Sequence, residues 1–251
     1  MMRILCCNDD GIDAYGLRLL AQAARTTSDD VWTVAPARKW TAASHHITFD
    51  RDLRLERRDA RSYVCEGTPV DAVIAAMTLL GDGGLAPDLV LAGINDKRNV
   101  GEDIAYSGTL AIAREATFWN VPAISLSRDV WPHDADADGA ALATLLRVLW
   151  DTREEWVAPG TWLALNLPQL LPAPVRQASP AHDKIASAAQ VVQRDGHNVV
   201  YRLRRGRPGS RVPGDENAVL TGGAIVATRY VANAPLPLQD TILARWESLT
   251  H

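Results

Sequence analysis

Oxygen-bearing polar residues follow three apolar segments of this chain, at the point where each segment ends. They are Asn8, Asp9 and Asp10 after the first segment, Thr41 and Ser44 after the second, and Asn95 after a later one. Carboxylate, hydroxyl and amide carbonyl oxygens are the ligands that Mg²⁺, Mn²⁺ and Ca²⁺ take in proteins. A cation held by few protein ligands keeps water molecules that it can acidify, and it can polarise a phosphoryl oxygen. These residue types therefore indicate a hard-cation site that could act on phosphate groups.

The adjacent pair Asp9 and Asp10 has two interpretations. Neighbouring carboxylates repel each other unless water, a cation or a network of donors screens them, which favours a cation site. Alternatively, the pair belongs to a polar strand-to-helix turn in which one Asp caps the helix. The residues from Ile4 to Gly11 do not decide between these alternatives.

A second polar group lies at the predicted start of a helix, at Ser107, Gly108 and Thr109. The hydroxyls of these residues and the free backbone N–H groups of a helix N-terminus suit an anion. On its own, the same sequence is more typical of an ordinary capped helix. An anion site is therefore one of two interpretations of this group.

The elements that would position these residues alternate between strand and helix. Strands are predicted from apolar runs at 4–7, 31–35, 87–95, 121–127 and 162–167. Helices are predicted at 17–24, where apolar residues are spaced by three and four, and at 69–80, 109–119 and 134–150. The start of the helix at 69–80 is marked by Thr68 as N-cap and Pro69 as the first helical residue. This alternation predicts an α/β fold with a mostly parallel sheet, in which ligands bind beyond the carboxyl ends of the strands.

The pattern changes near Pro168, after which prolines interrupt the chain. The dipeptide Asp195-Gly196 between two β-type segments predicts a hairpin. The further elements predicted are a short β segment at 47–55, hairpin strands at 190–194 and 198–204, a strand at 224–231 and a final helix at 238–249. We therefore expect a body of alternating strands and helices over 1–168 and, within the same overall domain, a hairpin-bearing appendage with a closing helix over 169–251.

Composition excludes several classes of protein. With 47% hydrophobic and 22% charged residues over 251 positions, the chain can build a full core. A net charge of −4 argues against binding a nucleic-acid polymer, because there is no basic excess to neutralise phosphates. The 3 cysteines do not make a disulfide framework, no apolar run has membrane-spanning length, and no signal peptide is recognisable. We therefore expect a cytoplasmic protein without a membrane or nucleic-acid partner.

Four polar blocks stand in a fixed order in the first half of the chain. They are Asn8-Asp9-Asp10-Gly11, Gly67-Thr68-Pro69-Val70-Asp71, Gly93-Ile94-Asn95, and Asn99-Val100-Gly101-Glu102-Asp103 with Tyr106-Ser107-Gly108-Thr109. In order and spacing the blocks resemble the SurE family of survival-protein nucleotidases, which are metal-dependent phosphatases acting on nucleoside monophosphates. The resemblance implies a Rossmann-like body, release of phosphate from a nucleotide, and a C-terminal part used in homodimer or homotetramer contacts.

The resemblance also implies roles for individual residues. It implies one Mg²⁺ or Mn²⁺ per subunit, bound by Asp9, Asp10 and Asn95, with a fourth oxygen from the loop after the second strand, here Thr41. It implies that the phosphate is held by Asn99, Ser107, Gly108 and Thr109. Of all these residues, those expected to act in catalysis are Asp9, Asp10, Asn99 and Ser107.

The loop after the second strand departs from the family pattern. The family usually has an acidic residue, a metal-binding Ser and a Gly there, where this chain has Ala37, Thr41 and Ala42. Thr41 keeps the hydroxyl, whereas Ala42 lacks the backbone freedom of glycine. In the same loop, His45 could act as a general acid for the leaving alkoxide. Trp40 could stack on a nucleobase or pack against its own fold.

The loop after Asn95 departs more strongly, because small neutral residues are replaced by Asp96-Lys97-Arg98. Lys97 or Arg98 could bind a substrate phosphate, with Arg98 doing so in bidentate fashion. Alternatively, Asp96 pairs with one of them and the loop points to solvent. These charges leave open a phosphatase with a shifted phosphomonoester substrate, or a degenerate SurE-like protein that binds nucleotide or metal with little turnover.

A regulatory receiver-type module is the alternative from another class, since such domains also bind Mg²⁺ through acidic residues after the first strand. Those modules are about half as long as this chain. Asn95 also occupies the strand end at which a phosphoacceptor Asp would be expected. Both points favour the phosphatase.

Overall fold

The apolar runs of the sequence form the strands of one large sheet. In the computed structural model, which describes residues 2–80, 84–132, 134–182, 188–203, 212–233 and 241, the predicted parallel strands are all present. The strands are β1 (Arg3–Cys7), β2 (Asp30–Pro36), β3 (Leu55–Asp59), β4 (Ser62–Cys65), β5 (Leu89–Asn95), β6 (Ala123–Arg128), β7 (Thr161–Leu167), β8 (Val175–Arg176), β9 (Ala189–Asp195), β10 (Asn198–Leu203) and β11 (Ile225–Val231).

Nine of these strands form the main sheet, in the order β3-β4-β2-β1-β5-β6-β7-β11-β8. The six strands from β4 to β7 in that order run parallel, whereas β3 and β11 are antiparallel to their inner neighbours. Every residue of β5 is buried, as expected for a parallel strand covered on both faces. The structure confirms the predicted α/β fold with a mostly parallel sheet.

Helices cover both faces of the sheet. They are α1 (Tyr15–Arg25), α2 (Pro69–Leu79), α3 (Gly108–Phe118), α4 (Ala135–Asp151), α5 (Arg153–Trp156) and α6 (Glu216–Thr221), with a 3-10 helix at Gly101–Ala105. Alternate residues of β1 point to opposite faces, so that Ile4 joins a core with α1 and α4, while Leu5 joins a second core with α2 and α3. The predicted helices near 17–24, 69–80, 109–119 and 134–150 are thus confirmed.

Local sequence explains where these helices begin. Thr68 accepts a hydrogen bond from Asp71 N at 3.1 Å, and the Asp71 carboxylate accepts one from Thr68 N at 2.8 Å, which forms a capping box. Pro69 occupies the first turn as predicted. Asp134 caps α4 through hydrogen bonds from the backbone of its first turn.

The prediction of a β segment at 47–55 is wrong. Residues 47–54 form a loop, and the strand begins only at Leu55. Phe49 is 84% exposed, so the apparent alternation has no core to face. Thr48 N is instead bonded to the Asp71 carboxylate at 3.0 Å. Six short elements have too few residues to show a period and were not predicted: β3, β4, the 3-10 helix, α5, β8 and α6.

The predicted hairpin is confirmed. Strands β9 and β10 pair antiparallel around Asp195 and form a separate two-stranded sheet in which every residue is exposed. The chain then returns through β11, which pairs with β7 in the main sheet. The predicted final helix at 238–249 lies outside the described residues, apart from residue 241. Among the described helices, none is long and apolar enough to cross a membrane.

Candidate active site at the carboxyl edge of the sheet

The turn after β1 is fixed by Asn8. Its Nδ2 donates to Gly11 O at 3.1 Å, and its Oδ1 accepts from Gly11 N at 3.1 Å. Helix α1 begins later, at Tyr15, and its N-cap Ala14 offers no side-chain cap. The alternative in which one of the two aspartates caps this helix is therefore wrong, and both carboxylates are available for other contacts.

The Asp9 carboxylate is buried against the start of α3. The Thr109 hydroxyl donates to Asp9 Oδ1 at 2.5 Å, and Asp9 is only 7% exposed. Burial raises the pKa of Asp9 to about 7; the Thr109 hydrogen bond opposes this change, and the charge of Asp10 adds to it. A buried acid of this kind would be ionised far more readily beside a cation.

The N-terminus of α3 lies directly beside this carboxylate. A Cβ atom at Gly108 would lie 2.8 Å from Asp9 Cβ and 2.9 Å from Asp9 Oδ2, so only glycine fits. Ser107 is the N-cap and accepts from Leu110 N at 3.1 Å. The first intrahelical bond is made by Ala111 N to Ser107 O. The N–H groups of Gly108 and Thr109 therefore precede the intrahelical ladder, as in helix ends that bind anions.

The Asp10 carboxylate contacts a lysine. Lys39 Nζ lies 2.5 Å from Asp10 Oδ1 and 2.6 Å from Asp96 Oδ2. The second oxygen of Asp10 accepts a hydrogen bond from Asp96 N at 3.0 Å. Partial burial lowers the pKa of Lys39, but the two carboxylates outweigh this effect and the pKa is raised. The ammonium therefore stays charged between the loops that follow β2 and β5.

The loop after β2 holds Thr41 at the surface. Trp40 N donates to Asp9 O at 2.7 Å, and Ser44 N donates to Tyr106 O at 2.9 Å, which ties both ends of the loop to the site. Thr41 between them is exposed. Ala42 has φ 56°, a left-handed conformation that glycine adopts more easily. The loop thus keeps the backbone shape that a glycine would favour, although it carries an alanine.

The two asparagines after β5 are held by hydrogen bonds. Asn95 Nδ2 donates to Lys97 O at 2.6 Å, which leaves its Oδ1 as the acceptor of the amide. Asn99 Nδ2 donates to Ser127 Oγ at 2.8 Å. Asn166 Oδ1 accepts from Asn99 N, and Asn166 Nδ2 donates to Asn99 O, both at 2.8 Å. Residues at the ends of β6 and β7 therefore fix the loop that carries Asn99.

Lys97 and Arg98 are both paired with Asp129. Lys97 Nζ lies 3.1 Å from Asp129 Oδ1, and Arg98 Nη1 lies 2.6 Å from Asp129 Oδ2. Arg98 Nε also donates to Asn217 Oδ1 at 2.8 Å. The alternative in which Asp96 pairs with Lys97 or Arg98 is wrong, because Asp96 pairs with Lys39. Phosphate binding by Lys97 and Arg98 stays a prediction.

His45 faces α3. Its Nε2 lies 2.8 Å from Glu115 Oε2, and its Nδ1 accepts from Arg114 Nε at 3.2 Å. Glu115 Oε1 also accepts from Trp119 Nε1 at 2.9 Å. Both ring nitrogens of His45 are thus engaged in anchoring its loop to α3, and a role as general acid would require one of them to be released.

Trp40 and a cavity are two further features at this edge of the sheet. The Trp40 ring lies under the Arg38 guanidinium, 4.7 Å from its centroid, and so packs within its own loop. A cavity of about 830 Å³ lies beside Arg98. Its walls include Arg98, Asp129, Leu167, Pro168, Asn217 and Leu220. The cavity lies at the same carboxyl edge of the sheet as Asp9.

The donor set fits a hard divalent cation. Within the described ranges, no three His, Cys, Asp or Glu side chains come together to hold a metal. The predicted ligands are instead two carboxylates, the Asn95 carbonyl oxygen and the Thr41 hydroxyl, the oxygen types that Mg²⁺ and Mn²⁺ take. A bound cation would stabilise the ionised form of the buried Asp9 carboxylate, whose pKa is raised.

Several residues that shape the site were not predicted. They are Lys39, Asp129, Asn166 and Glu216. The Glu216 carboxylate accepts hydrogen bonds from Gly101 N at 2.7 Å and from Ala181 N at 3.0 Å. Asp215 before an apolar run is a typical N-cap, so α6 could have been found from sequence. A lysine in a loop expected to bind a cation could likewise have drawn attention to Lys39.

A mostly parallel sheet flanked by helices, with an acid pair beside a helix N-terminus at its carboxyl edge, defines an α/β protein. The model of the family described as Survival protein SurE matches residues 4–194, and the chain belongs to this family. It is 37% identical over 255 residues to the 5'-nucleotidase SurE of Rhodopseudomonas palustris (strain BisA53), covering 96% of this chain and 95% of that protein.

Two further proteins are similar over different lengths. The 5'-nucleotidase SurE of Paramagnetospirillum magneticum is 44% identical over 156 residues, which is 62% of this chain and 55% of that protein. The crystal structure of the SurE protein from Aquifex aeolicus matches with a TM-score of 0.76 at 24% identity, covering 99% of this chain and 100% of that chain. The structural similarity supports the Rossmann-like fold.

Proposed function

We propose that this protein is a metal-dependent phosphomonoesterase that hydrolyses nucleoside monophosphates to nucleoside and phosphate. The observation that carries the proposal is the contact between the buried Asp9 carboxylate and the N-terminus of α3, through Thr109 and Gly108. A cation ligand and an anion-binding helix end are thereby adjacent. The full-length relative named as a 5'-nucleotidase supports the same activity, and nothing in the comparisons favours a family member without turnover.

One Mg²⁺ or Mn²⁺ per subunit would be held by Asp9, Asp10, Asn95 and Thr41. When bound, the metal supplies polarisation of a phosphoryl oxygen and acidification of a water molecule. The protein's part is to orient the ligands. Asn8 fixes the turn that presents both aspartates, and Thr109 fixes the Asp9 carboxylate.

The phosphate would be bound by the start of α3. The Ser107 hydroxyl and the N–H groups of Gly108 and Thr109 present donors to an anion there, and such preorganised donors stabilise negative charge that develops during phosphoryl transfer. Asn99 would complete the phosphate site from its anchored loop. Lys97 and Arg98, which Asp129 holds side by side, would also bind the substrate phosphate.

We also infer that the protein works in the cytoplasm as a homodimer or homotetramer. The exposed hairpin presents apolar side chains that a partner copy would cover: Val191, Val192, Val199, Val200, Tyr201 and Leu203. Apolar surface of this kind marks interaction sites. Light scattering would give the mass of the assembly, and a monomer at micromolar concentration would contradict the inference.

The activity is tested by measuring phosphate release from a panel of nucleoside monophosphates with Mn²⁺ or Mg²⁺. We expect turnover that EDTA abolishes and that Asp9→Asn removes. Asp13→Asn is the matched control, because Asp13 is exposed and lies in the same turn. Activity that survives both EDTA and Asp9→Asn would contradict the metal mechanism.

A further inference from the structure

The acid pair of the site already has a cation of its own in this protein. The Lys39 ammonium contacts Asp10 Oδ1 at 2.5 Å and Asp96 Oδ2 at 2.6 Å. The Asp10 side chain is 7% exposed, whereas that of Lys39 is 44% exposed. The lysine therefore reaches from solvent to a carboxylate that is itself almost fully buried.

This contact engages the carboxylate that the metal would use. Asp10 Oδ2 accepts a hydrogen bond from Asp96 N at 3.0 Å, and Asp10 Oδ1 is the atom that meets Lys39. Both oxygens thus have a partner without any metal. Asp9, by contrast, accepts its side-chain hydrogen bond from a neutral hydroxyl, that of Thr109.

We propose that Lys39 is an internal cation that competes with the divalent metal for Asp10 and so weakens the metal affinity of the site. The proposal rests on the metal site of the proposed function. A divalent ion at Asp10 would either displace the ammonium or lie close to it, and both outcomes reduce the binding free energy because like charges repel.

Asp96 makes the displacement of Lys39 possible. When Asp10 turns to a metal, the ammonium keeps the Asp96 carboxylate as a partner, and nearly half of the lysine side chain is in contact with water. The lysine can therefore move without leaving a buried charge unpaired. The arrangement gives a site that stays neutralised when metal is scarce and binds metal only at higher concentration.

The test is Mn²⁺ binding to the full chain, measured as free Mn²⁺ by electron paramagnetic resonance and as heat by calorimetry. Lys39→Gln removes the ammonium but keeps a side chain of similar length. We expect its Kd for Mn²⁺ to fall about tenfold relative to the unmodified protein, a change that equals about 1.4 kcal/mol. The readout is the binding of metal alone, without substrate or turnover.

Lys97→Gln is the matched control. It removes the same charge from the neighbouring loop, but Lys97 contacts Asp129 and not Asp10. Because an exposed charge acts only weakly at a distance, we expect its Kd to change by less than about threefold. Equal changes in the two variants, or unchanged or weaker binding by Lys39→Gln, would overturn the proposal.

If Lys39→Gln fails to fold, Lys39→Arg provides a second test, because it keeps a positive charge between Asp10 and Asp96. Competition predicts a Kd within about threefold of the unmodified value for this variant. A much tighter Kd for Lys39→Arg would overturn the proposal. If no variant and not even the unmodified chain bound Mn²⁺, the proposed function would fail as well; tight binding that Lys39→Gln leaves unchanged would overturn the competition alone.

Discussion

Two polar regions at the same edge of the sheet are built on opposite principles. The amide cluster of Asn99, Ser127 and Asn166 is buried and neutral, and three hydrogen bonds of 2.8 Å connect it. The acidic turn of Asp9 and Asp10 is also buried but holds two adjacent carboxylates. Burial raises the pKa of Asp9 to about 7, whereas the amide cluster holds no ionisable side chain.

This difference separates stabilisation from binding. Buried polar groups that satisfy one another contribute to stability and rigidity. A buried carboxylate that lacks a full set of partners costs stability until a cation or proton arrives. The amide cluster therefore holds the loop from which Asn99 would reach the phosphate, while the acidic turn retains binding capacity for a cation.

The largest effect is expected for Asp9→Asn on catalysis. Loss of the buried metal ligand should lower kcat/KM with a nucleoside monophosphate by about a thousandfold, which equals about 4 kcal/mol of transition-state stabilisation. Initial rates of phosphate release at saturating Mn²⁺ measure it, with Asp13→Asn as the control. A loss of less than about tenfold would show that the acidic turn is not the catalytic centre.

Although Asp9→Asn should lower activity, it should raise stability at neutral pH when EDTA removes the metal. Because the folded pKa of Asp9 is about 7 and its ordinary value is 3.8, the folded chain binds this proton more tightly than the unfolded chain does. The stability that this brings is present below about pH 4 and is lost as pH rises through about pH 7. The loss is on the order of 4 kcal/mol, as expected for about three pKa units.

Unfolding free energies of the unmodified chain and of Asp9→Asn, measured between pH 5 and pH 8, test this linkage. We expect the variant to become the more stable of the two as pH rises, and Mn²⁺ to abolish the trend by favouring the ionised carboxylate. A difference that grows toward low pH would contradict the assignment of the raised pKa to Asp9.

The amide cluster should show the converse behaviour. Asn166→Ala removes both partners of the Asn99 backbone and leaves a buried N–H and C=O unpaired. We expect the unfolding free energy to fall by about 2–3 kcal/mol at any pH, with or without Mn²⁺. Chemical denaturation measures it. Asn198→Ala in the exposed hairpin is the control and should cost less than about 0.5 kcal/mol; similar losses in both would mean that the cluster is not a stabilising unit.

The elements that carry both regions could be predicted from sequence, because each strand is a buried apolar run that ends in polar residues. The rule that ligands lie beyond the carboxyl ends of parallel strands placed Asp9 and Asn95 at one edge. The family resemblance added Thr109, and the structure brings Thr109 into contact with Asp9. The Thr68-Pro69 helix start follows from local capping chemistry alone.

The pairing of charges could not be predicted in the same way. Lys39 meets Asp96 across 57 positions, and Arg98 meets Asp129 across 31. No period or spacing encodes such partners, since they depend on how irregular loops meet after the sheet has formed. The neutral bonds between Asn99 and Asn166, 67 positions apart, were missed for the same reason. The alternation at 47–54 resembles that of a strand, but burial of one face depends on the surrounding fold, and Phe49 has no core to face.

The smallest effect on stability is expected for Ala42, in the loop after β2. Ala42 has φ 56°, a conformation that an L-residue adopts at a cost of roughly 1–2 kcal/mol. Ala42→Gly should therefore raise the unfolding free energy by about 0.5–1 kcal/mol after the greater entropy of glycine in the unfolded chain is included.

Ala43→Gly is the matched control, because Ala43 is not among the residues with positive φ, and it should lower stability. Thermal unfolding in EDTA compares the two variants. A gain in stability for Ala42→Gly but not for Ala43→Gly would show that the loop beside the acidic turn holds backbone strain. Asn99 and Asn166 have no positive φ, so strain would then be a further difference between the two regions. Equal effects of the two substitutions would show that there is no such difference.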